Sequence, residues 1–219
     1  MRTDYERSLK KLQDKVLGMG SMVEQALILS MDTMKNRDLA QAEQVIANDE
    51  KINARRFEIE EDCIHLIATQ APIASDLRII VAVLNIIIDL ERIGDHAAGN
   101  AKIAVMLGEE PPLKPLIDLP RMAEKTADML RRALDAFIKR DAPLARKVTE
   151  DDDEIDALYD QVFRELLLFM AEEPKTVSRA TRLIWAGHNL ERSADRVTNI
   201  CERVVFVVTG KQEEIGGKY

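Results

Sequence analysis

Four carboxylates stand out by their spacing. Glu91 and Asp95 lie four apart in Asp89-Leu90-Glu91-Arg92-Ile93-Gly94-Asp95-His96, as do Glu191 and Asp195 in Asn189-Leu190-Glu191-Arg192-Ser193-Ala194-Asp195-Arg196. The second segment follows the first at an offset of 100 residues, so the 219-residue chain carries an internal duplication. On a helix, residues four apart share a face. Two like charges on adjacent turns destabilise it slightly unless a cation lies between them. The chemistry this spacing suggests is cation binding by oxygen ligands.

Such a site needs a facing helix. In an antiparallel hairpin, residues lie level when they are equally far from the turn. Centred on Pro72, the first hairpin pairs numbers that sum to 144, so Asp95 faces Asp49 and Glu91 faces Asn53. Centred between Glu173 and Pro174, the second pairs numbers that sum to 347, so Asp195 faces Asp152 and Glu191 faces Asp156. The candidate metal ligands are these eight residues. Hard oxygen donors suit magnesium, manganese or iron, and three or four carboxylates have charge enough for more than one ion, whereas zinc would also want imidazole or thiolate. With 39 acids in 219 positions, about seven acidic i,i+4 pairs arise by chance, so one pair alone means little. The competing possibility is that these acids pair with Arg92, Arg192 and Arg196, contacts that contribute little at a surface. Spacing alone leaves both open.

The elements that must hold these residues are helices. Leu9, Leu12, Val16, Met19, Val23, Ala26 and Ser30 step by threes and fours, which predicts a helix from about Asp4 to Lys35. A second runs from about Leu39 to Thr69 with Val45, Ile52, Ile59, Cys63 and Leu66 inward, and Gln70-Ala71-Pro72 ends it. A third, apolar nearly all round at first, reaches about Leu107. Proline-rich Gly108 to Pro115 is a linker. The pattern then repeats, with helices over about 122–139, 144–171 and from the Glu173-Pro174 turn to Thr209. No segment alternates like a strand. The expected fold is all-α, two tandem three-helix bundles over 1–110 and 116–212, with a frayed tail over 213–219.

Other residues offer less. His188 lies three before Glu191, but Ile88 occupies the matching place, so it reads as a helix-face histidine. His96 reads as exposed, and Glu150 to Glu154 as a solvated helix face. Asp62-x-x-His65 has di-iron spacing but occurs once and faces apolar residues. No phosphate loop, Ser/His/Asp set or CxxC pair is present, and no enzyme is expected. A net charge of −8 argues against a nucleic-acid binder. Cys63 and Cys201 read as small buried hydrophobes in a reducing compartment. The first turns are charged, and the most apolar run, 79–88, is far shorter than the ~20 residues a membrane span needs. A cytoplasmic protein is expected.

The two Leu-Glu-Arg-(Ile/Ser)-(Gly/Ala)-Asp copies, the stretch Ala74-Ser75-Asp76-Leu77-Arg78 and the segments Asp49–Asn53 and Asp152–Asp156 together resemble the PhoU family, over nearly the whole chain. The resemblance implies two bundles related by a pseudo-twofold axis, with multinuclear clusters of iron or other divalent ions at Glu91, Asp95, Glu191 and Asp195 and at the matching Asp49, Asn53, Asp152 and Asp156. It implies a cytoplasmic negative regulator of the phosphate-starvation response that couples a phosphate ABC transporter subunit to a sensor histidine kinase. Similar proteins are often homodimers, and membrane contact would come only through partners. Two departures are visible, the first being Ser193 in place of the usual Ile of the second copy. Members often carry Asn eight after the Glu, as Asn199 does, but the first half has Gly99 there, with Asn100 one residue late. The alternatives are a carboxylate-metal redox or storage protein and a metal-free helical scaffold or chaperone.

Overall fold

The computed structural model describes residues 2–215, with side chains from Tyr5 onward. Among them are α1 (Arg2–Asn36), α2 (Leu39–Gln70), α3 (Ala74–Leu107), α4 (Asp118–Lys139), α5 (Ala142–Thr149), α6 (Asp152–Glu172), a 3-10 turn (Pro174–Thr176) and α7 (Val177–Thr209), and no strand. The fold is all-α in two repeats. Residues of α1 such as Leu12, Val16, Met19, Val23 and Leu27 are sealed, as are Ile52 and Ile59 of α2. Each such side chain contributes about 1.5–3 kcal/mol on leaving water. α3 packs on α1, α2 and α7, while α1 also packs on α4, so the repeats share one apolar core.

Boundaries follow local chemistry. The Asp38 carboxylate caps α2 by accepting from the Gln41 N–H at 2.9 Å, and Asp141 caps α5 through Leu144 at 2.9 Å. Ala71 ends α2 in the left-handed region at φ 43°, just before Pro72. α4 starts at Asp118, earlier than the expected 122, because Pro120 is tolerated in a first helical turn. The linker is strapped to the start of α7, where Arg179 donates to the Pro111 carbonyl at 3.0 Å.

Three expectations need correcting. The helix expected over 144–171 is broken at Glu150 and Asp151. Five successive acids would repel inside one helix. The break instead puts Arg146 and Lys147 at the C-terminus of α5 and Asp152, Asp153 and Glu154 in the first turn of α6, each matching the local helix dipole. Glu150 to Glu154 is therefore a helix junction rather than a plain solvated face. His96 is buried, not exposed: its Nδ1 lies 3.1 Å from Ser193 Oγ, and burial with Arg192 and Arg196 nearby pushes its pKa down to about 4. Lastly, the tail is not uniformly loose where it is described. The Ile215 N–H donates to Glu202 at 3.1 Å and Arg146 pairs with Glu213 at 2.5 Å, while 216–219 lie outside the described residues.

The two motif copies meet across α3 and α7, antiparallel. Arg196 reaches the buried Asp89 at 3.3 Å, Asn199 donates to Asp89 at 3.5 Å, and Asn189 donates to Asn100 at 2.9 Å. A Cβ on Gly99 would lie 3.2 Å from Asn189 Nδ2. The contact of 89 with 199 thus recurs, copies exchanged, as 99 with 189, an approximate twofold relation. It accounts for the displaced asparagine: position 99 is pressed against Asn189, and Asn100 takes the hydrogen bond instead.

Burial raises the Asp89 pKa, opposed by the Asn199 and Arg196 contacts. Arg196→Met leaves that carboxylate without its cation and is expected to cost about 2 kcal/mol in urea unfolding at pH 7.5, less than a sealed pair because Arg196 is part-exposed. Adding Asp89→Asn, the residue found at 189, is expected to restore most of the loss. A double variant no more stable than the single one would contradict this account of the seam.

Candidate metal centres

The residues that build the seam and those that build the grooves share the same two helices. Asp89, His96 and Asn100 point from α3 toward α7, whereas Glu91 and Asp95 fall on the side toward α2 and water. Helical steps of 100° separate the two faces. The same division holds on α7, with Ser193, Arg196 and Asn199 in the seam and Glu191 and Asp195 outside it.

In the first repeat the structure brings Asp49 and Asp95 together. The Asp49 pKa is raised, by burial first and by the Asp95 charge second, with Lys102 and the Asn53 amide acting against them. Asn53 donates to Asp49 Oδ2 at 3.4 Å, while Oδ1 is buried and has no hydrogen-bond partner. Gly94 makes the approach possible: a Cβ there would meet the Ile52 side chain at 3.1 Å and Asp49 Oδ1 at 3.4 Å. A cavity of about 240 Å³ opens beside this carboxylate, between Met22 and Leu29 of α1 and Ile52 of α2. Glu91 behaves differently. No hydrogen bond joins it to Asn53 among the described residues; Arg92 lies 3.7 Å from Glu91 and 3.0 Å from Asp95.

In the second repeat the four expected acids lie near enough to act on one another through their charges. The Asp152 pKa is pushed up to about 7 by burial and then by Asp156, Asp195 and Glu191. Glu191 is raised by its own burial and by Asp195 and Asp156. Asp152 is only 9% exposed, and its Oδ1 has no hydrogen-bond partner. His188 lies on a helix face, half exposed, with its Nδ1 3.2 Å from Glu191 Oε2. Its ring packs against Tyr159, centroids 6.0 Å apart. The i,i+3 spacing to Glu191 was the available signal.

As they stand, no three His, Cys, Asp or Glu side chains among the described residues close around one point as metal ligands. The donor sets still fit a hard cation, because each groove holds a buried carboxylate oxygen without a partner and an excess of negative charge.

Comparison with known proteins agrees with the duplicated pattern. The PhoU domain matches this chain twice, at residues 16–104 and 119–204. The phosphate-specific transport system accessory protein PhoU homolog of Clostridium acetobutylicum is 37% identical over 215 residues, 98% of either chain. Its counterpart in Aquifex aeolicus is 36% identical, covering 94% of this chain and 93% of the relative. The crystal structure of PhoU from Pseudomonas aeruginosa superposes with a TM-score of 0.89 at 35% identity, covering 94% of this chain and 100% of that one. The phosphate transport system regulatory protein PhoU from Streptococcus pneumoniae gives 0.90 at 31%, covering 96% and 100%.

The raised Asp152 pKa fixes the sign of a pH effect. Between its ordinary value near 4 and about 7, the folded chain holds a proton that the unfolded chain has released, so metal-free stability falls as pH rises through that window. In protein stripped with chelator, Asp152→Asn is expected to raise the melting temperature at pH 8 and change it little at pH 4.5. An equal shift at both pH values, or none at pH 8, would show that the carboxylates do not strain one another.

Proposed function

The chain belongs to the PhoU family, and from that premise we propose that it is a metal-binding, non-enzymatic adaptor of a phosphate-specific transport system. Its relatives are accessory proteins of such systems by name. The observation that carries the metal part is the pair of grooves in which partnerless buried carboxylate oxygens sit beside further acids. Asp49, Asn53, Glu91 and Asp95 would hold iron, manganese or magnesium in the first; Asp152, Asp156, Glu191 and Asp195 would do so in the second. The bound ion would supply positive charge that locks α2 to α3 and α6 to α7.

An adaptor also needs surface for its partners. On α3 the stripe Leu77, Val81, Leu84, Ile88 continues into Glu91 and Asp95 at steps of four and three. Leu77, Val81 and Ile88 are exposed, as are Phe57 and Ile64 of α2 at 57% and 59%. This apolar face supports docking of a phosphate ABC transporter subunit and a sensor histidine kinase, and association as a homodimer. No helix among the described residues is long and apolar enough to cross a membrane, which accords with a cytoplasmic protein reaching the membrane through partners. In that role it keeps the phosphate-starvation response off while phosphate is plentiful.

Two measurements test this. Deleting the gene is expected to raise expression of a phosphate-scavenging reporter several-fold in rich phosphate, and a silent reporter would contradict the regulatory role. Equilibrium dialysis of the untagged chain against Mn²⁺ is expected to show loss of one repeat's ions in Glu91→Gln with Asp95→Asn; unchanged stoichiometry would remove the first groove as a site.

A further inference from the structure

We infer that the two grooves are chemically unequal, and that His188 makes the second a mixed imidazole–carboxylate site selecting a borderline transition-metal ion over Mg²⁺. This rests on the reading that the grooves hold metal. His188 Nδ1 and Glu191 Oε2 are 3.2 Å apart, and His188 is the group that acts against the rise in the Glu191 pKa. Two ligands at right angles on one ion, each at about 2.1 Å, lie about 3.0 Å from each other. At that spacing His188 and Glu191 would be able to serve one ion together. With its proton on Nε2, the imidazole offers the Nδ1 lone pair to an ion that Glu191 also binds. Across the groove Asp152 is more than nine-tenths buried, with its partnerless Oδ1 among the charges of Asp156, Glu191 and Asp195. The Tyr159 ring lies beside His188, centroids 6.0 Å apart.

The first groove lacks each of these features. Ile88 stands where His188 does, and Asn53 where Asp156 does, so one imidazole and one carboxylate are missing. Arg92 lies on Glu91 and Asp95, and the Lys102 charge reaches Asp49. Among the described residues no lysine or arginine pairs with Glu191 or Asp195. Imidazole suits Co²⁺, Ni²⁺ and Zn²⁺, while an all-oxygen set of lower charge suits Mg²⁺ or Mn²⁺. Duplication supplied two frames, and substitution at 88/188 and 53/156 made them different sites.

Calorimetric titration of the metal-free, untagged full chain with Co²⁺ and with Mg²⁺ tests this. Wild type is expected to show one Co²⁺ class tighter than the other. His188→Ile, which copies the first groove, is expected to weaken the tight class 10- to 100-fold for Co²⁺ and to change Mg²⁺ binding less than threefold. Ile88→His is expected to strengthen the weak class for Co²⁺. Both positions are half exposed, at 50% for the His188 side chain and 43% for Ile88, so the fold tolerates either change. If His188→Ile keeps Co²⁺ affinity within twofold, the inequality is overturned while metal binding stands. A wild-type chain that takes up neither ion overturns both.

Discussion

Facing carboxylates on packed helices are the constraint from which the rest of this molecule follows. Like charges held close in a partly buried groove repel more strongly than an exposed ion pair attracts. Asp49 cannot back away from Asp95, nor Asp152 from Glu191 and Asp195, because apolar seams set the register of the helices that carry them. Ile52 and Ile59 lock α2 against α3, and Ile155 and Val162 do the same for α6. The core thus holds in place a repulsion that a divalent ion would turn into attraction. Burial and neighbouring negative charge raise the pKa values of Asp49, Asp152 and Glu191 together.

The duplicated helix serves two purposes by turning two faces. Its outer face carries the acids. Its inner face carries polar groups that meet only their counterparts in the other copy: Asp89 with Arg196 and Asn199, His96 with Ser193, Asn100 with Asn189. A purely apolar seam between two long helices could slide by a turn, whereas these polar contacts form in one register. Each groove is consequently one residue removed from the axis joining the repeats.

Much of this was legible in the chain. Steps of three and four gave the seams of α1 and α2, Pro72 and Pro174 marked the turns, and counting back from them put Asp49 opposite Asp95 and Asp152 opposite Asp195. What escaped depends on choices among partners at similar distances. Arg92, adjacent in sequence, lies 3.7 Å from Glu91. The burial of His96 and the seam role of Asn199 come from α3 meeting α7, a pairing between repeats that arithmetic within one hairpin does not reach. The break at Glu150–Asp151 turned on local charge against helix dipoles, which hydrophobic periodicity ignores. His188 was set aside because its counterpart is Ile88, yet that mismatch is what distinguishes the two halves.

Anomalous diffraction from crystals of the untagged chain grown with Mn²⁺, recorded at the manganese edge, tests the central claim most directly. The expected result is strong density within ligand distance of Asp49 and Asp95 between α2 and α3, and of Asp152, Glu191 and Asp195 between α6 and α7. Crystals in which both grooves are spanned by lysine or arginine side chains, with no anomalous density between the acids, would contradict it.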